Sequence, residues 1–360
     1  MKNKASADWG DYLKVFACTA VMLQPILNLV ITNQPTGVQF NFGMLYDLVK
    51  YTAPAFIWGI LYTTMRKHDQ SWQAWPYYRQ QWHQLGVPTI WWTLIYLLIM
   101  PKLQQHEHYH SVKSFLWQAI NGNAAPHLWY NTMMLQFIIL MPLFWWLHYW
   151  LQAHKQRGWI IAIITAIIYG AWIYFYDINV LNGPHQQSWY LLDRIFISFI
   201  IYGIGGILAW NFFDKVLPWL QQFWLLMVFA WLNTWLWTNQ QLFARGFPVN
   251  LSRAAYYQPS MTFYSLIVII LVGIIWQSQR SWQIWSSIMH WLANYAYRAY
   301  LANVFWQQLL WRYSGIASFR YSHPYITMTA LWIGTWLLAF GTAALLHTSW
   351  SWTKEKLRRT

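Results

Sequence analysis

Apolar stretches of about 20 residues recur along the chain from Val15 almost to its C-terminal end, and this recurrence constrains the fold more than any other feature. In a bilayer such a stretch forms a helix, because a helix satisfies its own backbone hydrogen-bonding groups. Only 9% of the residues are charged, against roughly 25% in an average soluble domain. The sequence therefore excludes a soluble globular protein and predicts an all-α polytopic membrane helical bundle.

The apolar segments follow one another without a long polar block, so we expect one integral-membrane domain over residues 1–360. This domain would contain about ten transmembrane helices. The spans are predicted near residues 12–33, 43–65, 85–101, 127–151, 159–177, 189–211, 217–237, 259–277, 285–310 and 325–347. Pro54 and Pro142 lie inside predicted spans and should kink them, because neighbouring helices can satisfy the carbonyls that a proline leaves free.

The distribution of basic residues predicts the orientation of the bundle. With an even number of spans both termini share a side, and the side richer in Lys and Arg is the cytoplasm. The basic residues on the side of the termini are Lys2, Lys4, Arg66, Lys67, Arg79, Lys155, Arg157, Lys215, Arg280, Lys354, Lys356, Arg358 and Arg359. The opposite side carries Lys102, Lys113, Arg245, Arg253, Arg312 and Arg320. We therefore expect a plasma-membrane protein, embedded in the lipid bilayer, with both termini in the cytoplasm. The formal charge of +14 is spread too widely for a nucleic-acid site.

Charged side chains inside the predicted spans are candidates for function, because a charge is costly in a bilayer. Arg298 falls near the middle of the ninth predicted span, on a helix face that it shares with Asn294 and Tyr295. A guanidinium keeps its charge, so Arg298 must face the bundle interior, a hydrated cavity or an anionic group. We predict that Arg298 binds substrate or organises a site; the alternative is a structural pair with Asp47 or Asp193.

Other charged positions give weaker signals. Lys14 lies at the cytoplasmic end of the first predicted span, where snorkelling to the interface can explain it without function. Asp47 and Lys50 are three residues apart on one predicted helix, which suits a structural ion pair as well as a site. Asp193 and Arg194 are adjacent, so we expect each of them to find a partner elsewhere.

One predicted external loop contains residue types that bind metals, namely His106, Glu107, His108 and His110. Their spacing is loose, and no second ligand group at a fixed spacing accompanies them. We therefore expect a solvated cluster and no metal site. The single cysteine, Cys18, lies in an apolar span, where burial opposes the reactive thiolate.

Short motifs occur along the predicted spans in a characteristic order. The first span reads Asp11-Tyr-Leu-Lys14-Val-Phe-Ala17, the second Pro54-Ala-Phe56-Ile-Trp58-Gly59, the fourth His127-Leu-Trp129-Tyr130 and the ninth Tyr297-Arg298-Ala-Tyr300-Leu301. A loop with Tyr78-Arg79 leads into Val87-Pro88 at the start of the third span. Taken in this order, the motifs resemble those of the acyltransferase 3 family, integral-membrane proteins that O-acylate sugars and cell-envelope polymers.

The resemblance implies an activity and the residues that serve it. An acyl group, commonly acetyl, would move from cytoplasmic acyl-CoA to a hydroxyl of an extracytoplasmic cell-envelope glycan. The positions that match the family's basic residues are Lys14, in place of an arginine, and Arg66 and Arg79 in the following cytoplasmic loop. These side chains would bind the phosphates of acyl-CoA, with acetyl-CoA as donor substrate and no resident cofactor, because cations form charge-assisted hydrogen bonds with phosphates.

Two positions depart from the family pattern. The family carries a histidine eleven residues after its first-helix arginine, thought to be the general base, but the corresponding position here is Pro25, preceded by Gln24. A later family histidine corresponds to Asn303. We predict that Gln24 orients an acceptor hydroxyl while another group or water removes the proton, because glutamine has no useful pKa near neutrality. The other histidines considered as bases are His83, His148 and His290.

Two functions therefore remain open. The first is a membrane acyltransferase that works with altered residues, and the retained basic loop favours it. The alternative is a non-catalytic relative that binds, senses or transports a component of the cell envelope, and the loss of both family histidines favours it.

Overall fold

The computed structural model describes residues 6–68 and 72–359, with side chains placed as far as Thr348. All regular secondary structure in these ranges is helical. Four of the described helical segments are long and apolar enough to cross a membrane, and two bent helix pairs raise the number to six. The prediction of an all-α, multi-pass membrane bundle is confirmed, whereas the number of about ten spans stays a prediction.

The helices are numbered in chain order. Their bounds are α1 Trp9–Val30, α2 Thr36–Leu48, α3 Thr52–Lys67, α4 Ala74–Gln81, α5 Val87–Ile99, α6 Val112–Asn121, α7 Trp129–Ile139, α8 Met141–Ala153, α9 Gly158–Tyr176, α10 Ile200–Asn211, α11 Phe213–Gln222, α12 Trp224–Phe243, α13 Pro259–Gln279, α14 Gln283–Tyr313 and α15 Pro324–Arg359. The predicted spans 12–33, 85–101, 159–177 and 259–277 each correspond to one helix, namely α1, α5, α9 and α13. Helices α14 and α15 run past the predicted ends of spans 285–310 and 325–347.

Two predicted spans break at proline-containing segments instead of kinking. In span 43–65 the chain leaves helical geometry between Leu48 and Thr52, and Pro54 lies in the first turn of α3. In span 127–151, α7 and α8 meet at 54°, and Pro142 lies in the first turn of α8. A proline is tolerated in a first helical turn because the N–H groups there have no intrahelical partner. The prediction that Pro54 and Pro142 kink continuous helices is therefore wrong, because each of them lies at the start of a new helix.

Two later spans also differ from prediction. Span 189–211 opens with two short 3₁₀ segments, and the α-helix α10 begins only at Ile200. Span 217–237 begins in the wrong place, because α11 ends at Gln222 and α12 starts at Trp224. Helix α11 is bent by 98° from the segment before it.

Helix α1 lies at the centre of the bundle and defines two ends of it. At its start Asp8 pairs with Arg66, the penultimate residue of α3, and the N–H of Ala7 donates to Ser286 near the start of α14. At its other end Gln24 donates to Thr52 at the start of α3. Helices α1 and α3 are therefore antiparallel. We call the end at Asp8 the proximal face and the end beyond Gln24 the distal face.

Close helix packing beside this core depends on a glycine. Gly206 of α10 lies against α3, and a Cβ atom there would be 2.4 Å from the carbonyl oxygen of Trp58. A side chain cannot be accommodated against a backbone atom at that distance, so α3 and α10 approach closely only because residue 206 has none. This contact fixes α3, which carries residues of both cavities described below.

Candidate functional site

A cavity of about 520 Å³ lies toward the proximal face, and its cations come from three elements. Lys14 of α1, Lys67 at the end of α3 and Arg298 of α14 all line it. No carboxylate is present among the described residues of its wall. Neutral donors from α4 and the turn after it, Gln81 and Gln84 among them, complete the polar side. We call this space the proximal cavity; its charge and size suit an anionic small molecule.

Lys14 and His290 share one carboxylate at the edge of the proximal cavity. The Lys14 ammonium lies 3.3 Å from Asp11 Oδ1, and His290 Nδ1 lies 2.7 Å from Asp11 Oδ2. Asp11 thus anchors both groups from α1. The pairing makes Lys14 a positioned cation rather than a snorkelling one. It also orients His290, which lines neither this cavity nor the second one described below.

Arg298 forms none of the structural pairs considered from the sequence. The ion pairs of the described residues include none with Arg298, and its half-buried guanidinium faces the proximal cavity. Asp193 instead pairs with its neighbour Arg194 at 3.1 Å, so the expectation that these two find separate partners is wrong for Asp193. The 3₁₀ turn at Tyr190–Arg194 and the length of the arginine side chain allow Arg194 to fold back. Arg194 also donates to Asn123 Oδ1 at 2.7 Å.

The structure does not bring Arg66 and Arg79 into the proximal cavity. Arg66 is paired with buried Asp8. Arg79 is exposed and borders a separate apolar cleft of about 680 Å³ between α4, α5, α6 and α7. Of the three basic residues predicted to bind acyl-CoA, only Lys14 lines the cavity, and Lys67 is an additional cation that the sequence analysis did not single out. The role of Arg66 and Arg79 in binding acyl-CoA stays a prediction.

A second cavity, of about 340 Å³, lies toward the distal face, and we call it the distal chamber. Gln24 and Pro25 of α1 line it, together with Lys50 from the break between α2 and α3. His127, in the turn before α7, forms part of the opposite wall. The aromatic residues of the wall are Tyr46, Phe56, Trp129, Tyr130, Tyr256 and Tyr300. Aromatic rings with a few polar groups are typical of a site for a sugar-sized ligand.

Gln24 forms hydrogen bonds to residues at the break between α2 and α3, which borders the distal chamber. Its Nε2 donates to the carbonyl of Val49 at 2.7 Å and to Thr52 Oγ1 at 3.1 Å. Val49 is the C-cap of α2, where helical carbonyls lose their own partners. Because both bonds use the amide nitrogen, the amide oxygen is the part of Gln24 available to a ligand. The prediction that Gln24 orients an acceptor hydroxyl therefore concerns this oxygen.

Asp47 and Lys50 do not form the ion pair that their spacing allowed. Helix α2 ends at Leu48, so Lys50 no longer shares a helix face with Asp47. Asp47 is buried against Thr238 of α12, while the Lys50 ammonium contacts the hydroxyl of Tyr46 at 3.1 Å. The sequence analysis treated this stretch as one continuous helix, and the break explains the difference.

His127 is the functional candidate that the sequence analysis quoted in a motif but did not select. Its ring is buried, and Nε2 lies 3.4 Å from the carbonyl oxygen of Leu301, which can only accept a hydrogen bond. This contact favours the tautomer with the proton on Nε2. Nδ1 then carries a lone pair, and it has no hydrogen-bond partner within the described residues. A lone pair on an imidazole nitrogen can accept a proton, but Nδ1 is itself buried, so the wall of the distal chamber must move before a hydroxyl reaches it.

Three aromatic side chains separate the two cavities, because each of them lines both. The ring centroid of Phe56 lies 5.5 Å from that of Tyr130 and 5.9 Å from that of Tyr300, and the two tyrosine rings are 5.7 Å apart. We call these three rings the aromatic partition. The Tyr300 hydroxyl donates to the backbone carbonyl of His127, so the partition and the imidazole are held together.

Other histidines lie elsewhere in the bundle, and two of them, His68 and His347, line the proximal cavity. His148 is buried and bonded to Asn211 and Gln152, and His83 is exposed near the proximal side. His106 stacks on Tyr190 with the ring centroids 3.6 Å apart. Within residues 6–68 and 72–348, no group of three or more His, Cys, Asp or Glu side chains could hold a metal ion.

Two polar cavities that meet at the core of a membrane bundle are an arrangement suited to group transfer between opposite faces. Comparison with known protein families matches residues 8–350 to the acyltransferase domain of one such membrane family. The chain belongs to the acyltransferase 3 family. No curated protein and no solved structure gives a significant match.

Membership in the acyltransferase 3 family implies a membrane acyltransferase, and it confirms the resemblance noted from the motifs. The match covers both cavities and the aromatic partition. Lys14, predicted to replace the first-helix arginine of the family, lies in the proximal cavity, and Pro25, predicted to replace its histidine, lies in the distal chamber. Pro25 sits inside α1 and leaves it a single helix. Asn303, at the position predicted for the later histidine, is buried and donates to the carbonyl of Tyr300.

Proposed function

We propose that this member of the acyltransferase 3 family moves an acyl group, acetyl in the simplest case, from cytoplasmic acyl-CoA to a hydroxyl of an extracytoplasmic cell-envelope glycan. The observation that carries the proposal is the pair of cavities that adjoin at the aromatic partition. One is cationic and suits the phosphates of CoA. The other is aromatic and suits a sugar, and His127 in its wall has a buried ring nitrogen without a hydrogen-bond partner among the described residues.

On the donor side the proposal uses Lys14, Lys67 and Arg298. These cations converge on the proximal cavity from three different helices. Lys14 is paired with Asp11, whereas none of the ion pairs among the described residues includes Lys67 or Arg298. Phosphate groups would bind these cations through charge-assisted hydrogen bonds. The thioester would then extend from the bound nucleotide toward the partition, with the proximal face in the cytoplasm.

On the acceptor side the proposal uses His127 and Gln24. The acceptor hydroxyl would give its proton to His127 Nδ1 while its oxygen attacks the thioester carbonyl. The C–S bond then breaks, the acyl group stays on the acceptor oxygen as an ester, and the proton taken up by His127 is passed, through water, to the CoA thiolate. The amide oxygen of Gln24 would orient a neighbouring hydroxyl. His127 thus takes the part assigned, in the resemblance, to a histidine at the position of Pro25.

The proposal is tested with the full chain purified into proteoliposomes and given [¹⁴C]acetyl-CoA together with a cell-envelope polysaccharide preparation. We expect label to appear as an alkali-labile ester on the polysaccharide, and Arg298→Ala to reduce the transfer. Absence of transfer to the polysaccharide, together with absence of measurable acetyl-CoA binding, would exclude the donor half of the proposal. Tight acetyl-CoA binding without any transfer would favour the non-catalytic alternative.

The topology is tested separately, because Lys2 and Lys4 and the side chains of Lys354, Lys356, Arg358 and Arg359 lie outside the described residues. A reporter that is active only outside the cytoplasm, fused after Thr360, should be inactive. Activity of that reporter would reverse the orientation and place the proximal cavity on the wrong side for CoA.

A further inference from the structure

The distal chamber contains a cation whose surroundings are aromatic rather than acidic. The Lys50 ammonium contacts the Tyr46 hydroxyl at 3.1 Å and lies 4.9 Å from the Tyr46 ring centroid and 4.7 Å from that of Tyr256. Tyr256 is in turn fixed by a 3.1 Å hydrogen bond with Thr52. Cation–π contacts hold an ammonium in place without neutralising it. The charge of Lys50 is therefore positioned and still available to a ligand.

No described carboxylate forms an ion pair with Lys50. None of the described residues lining the distal chamber is acidic. Asp47, three residues earlier, is only 1% exposed and lies against Thr238, and its charge acts on Lys50 from beyond ion-pair distance. An intramembrane cation without an ion-pair partner in the protein marks a candidate ligand site.

The other groups around Lys50 suit a small polar ligand that carries one negative charge. Gln105 and Ser252 reach the chamber from two loops, and Asn28 reaches it from α1. Their amide and hydroxyl groups can bind sugar hydroxyls, while Trp129 and Tyr256 offer ring faces for a pyranose. A volume of about 340 Å³ is at the lower end of the range for small-molecule sites.

We propose that the distal chamber selects an anionic substrate, with Lys50 as the residue that binds its carboxylate or phosphate group. This inference rests on the proposed function and narrows its substrate class. Two sources could present the same charge beside Lys50: an acidic unit of the acceptor glycan, or the free carboxylate of a dicarboxylic acyl group that enters through the partition. A neutral glycan receiving a simple acetyl group would leave Lys50 without an ion-pair partner.

The test measures binding, so that it does not depend on catalysis. Equilibrium dialysis with the purified full chain in nanodiscs compares methyl β-glucuronide with methyl β-glucoside, which differ by one carboxylate. It also compares the non-hydrolysable ketone analogues of succinyl-pantetheine and butyryl-pantetheine, which differ in the same way. Within at least one of these pairs we expect the acid to bind about tenfold or more tightly, as for a hydrogen bond to a charged group.

Two variants assign the preference to Lys50. Lys50→Gln should abolish the difference between acid and neutral analogue, and Lys50→Arg should retain most of it, because the arginine keeps the charge. A preference within the glucuronide pair identifies an acidic acceptor, and one within the pantetheine pair identifies a dicarboxylic acyl group. Equal binding within both pairs by the unmodified chain would overturn the proposal without any variant. So would a preference that survives in a monodisperse Lys50→Gln protein.

These measurements separate the inference from the proposed function. Acetyl-CoA transfer tests the proximal cavity and the partition, whereas the part of the charge preference that is lost in Lys50→Gln tests the distal chamber. Loss of transfer with a retained charge preference would leave Lys50 as an anion site of a non-catalytic relative.

Discussion

The proximal cavity holds three cations at half-buried or exposed positions, whereas the distal chamber holds a single lysine among tyrosine rings. The two spaces share three aromatic side chains and lie on either side of them. In the proximal cavity the cations come from separate helices, and only Lys14 is tied to an acid. In the distal chamber Lys50 contacts tyrosine rings, and His127 and Gln24 contact backbone carbonyls.

The difference indicates two kinds of recognition. Several cations without a fixed geometry favour a ligand with several negative charges, since each phosphate can bind a different side chain. One lysine held over rings, together with a buried imidazole, favours a compact ligand with a defined orientation. The donor side thus recognises its ligand mainly by charge, and the acceptor side recognises its ligand mainly by orientation. Variants on the two sides should therefore fail in different kinetic parameters.

The largest effect is expected from His127, the proposed proton acceptor of the distal chamber. His127→Ala should lower kcat for transfer by about 10² to 10⁴, the usual contribution of general-base catalysis, and leave the KM for acyl-CoA nearly unchanged. Steady-state kinetics with acetyl-CoA measures both parameters. In the same background Pro25→His should restore at least about tenfold, because residue 25 faces the same chamber. Wild-type kcat in His127→Ala would show that another group removes the proton.

The second effect falls on the opposite side of the partition. Arg298→Ala should weaken acyl-CoA binding by about 10- to 100-fold, since a hydrogen bond to a charged group contributes about 1.5 to 3 kcal/mol. Arg79→Ala is the matched control, because Arg79 borders a different cleft, and its affinity should stay within about twofold of wild type. Isothermal titration with CoA measures both. Equal losses in the two variants would assign the Arg79 cleft to the donor, as the sequence predicted.

The residues in these two predictions differ in whether the sequence identified them as functional: Arg298 was identified, and His127 was not. The fold class followed from apolar length and the near absence of charge, which depend on local sequence alone. Arg298 could be identified because a mid-span guanidinium is costly wherever the helix packs. The absence of an ion pair between Arg298 and Asp47 or Asp193 could not be predicted, because such pairs depend on how distant helices pack. The number and continuity of spans also depended on tertiary contacts, such as the bond from Gln24 to Val49 at the break after α2.

His127 shows most clearly where sequence reasoning ended. Its motif was visible, but the role of its ring depends on two contacts with α14, at Tyr300 and Leu301, more than 170 residues away in the chain. Periodicity within one helix gives no information on such a contact. The spacing of Asp47 and Lys50 was misleading for a related reason, since the rule for residues three apart applies only while the helix continues. A free buried ring nitrogen is recognised only once the surrounding helices are placed.

A third prediction concerns Arg66, which the proximal cavity does not include. Arg66→Ala leaves Asp8 buried without its cation and should lower the free energy of unfolding by about 1 to 3 kcal/mol near neutral pH. Burial, and then the charge of Asp11, already raise the pKa of Asp8, and removal of Arg66 raises it further. The folded variant therefore holds the Asp8 proton to a higher pH than wild type. Acyl-CoA affinity should change far less than in Arg298→Ala.

The pH dependence of this third effect has a definite sign. A carboxyl whose pKa is raised on folding makes stability fall as pH rises from its ordinary value of 3.8 to the folded value. In Arg66→Ala the fall continues to higher pH, so the two stability curves should run together up to the raised folded pKa of Asp8 in wild type and diverge above it. Chemical denaturation across pH measures the difference. Arg66→Ala with Asp8→Asn should remove it, because asparagine keeps the cap on Asp11 N–H without the charge. A stability loss that is independent of pH would contradict the pairing.

The smallest effect is expected from Gln24, which connects the distal chamber to the fold. Gln24→Met removes the hydrogen bonds to Val49 and Thr52 and keeps the length of the side chain, so it should lower unfolding free energy by about 1 kcal/mol. If its amide oxygen also orients the acceptor, the KM for acceptor should rise by about two- to tenfold, the range for one neutral hydrogen bond. The KM for acyl-CoA should stay constant.

Thr52→Val separates the two roles of Gln24, because it removes one partner of the amide nitrogen and leaves the amide oxygen in place. We expect Thr52→Val to lower stability slightly and to leave the acceptor KM unchanged. Thermal unfolding and acceptor kinetics on the same preparations give both readouts. A higher acceptor KM in Gln24→Met alone would identify Gln24 as a group that contacts the acceptor. If both variants lose stability and neither changes KM, Gln24 only supports the break between α2 and α3, and orientation of the acceptor hydroxyl falls to the remaining polar groups of the distal chamber.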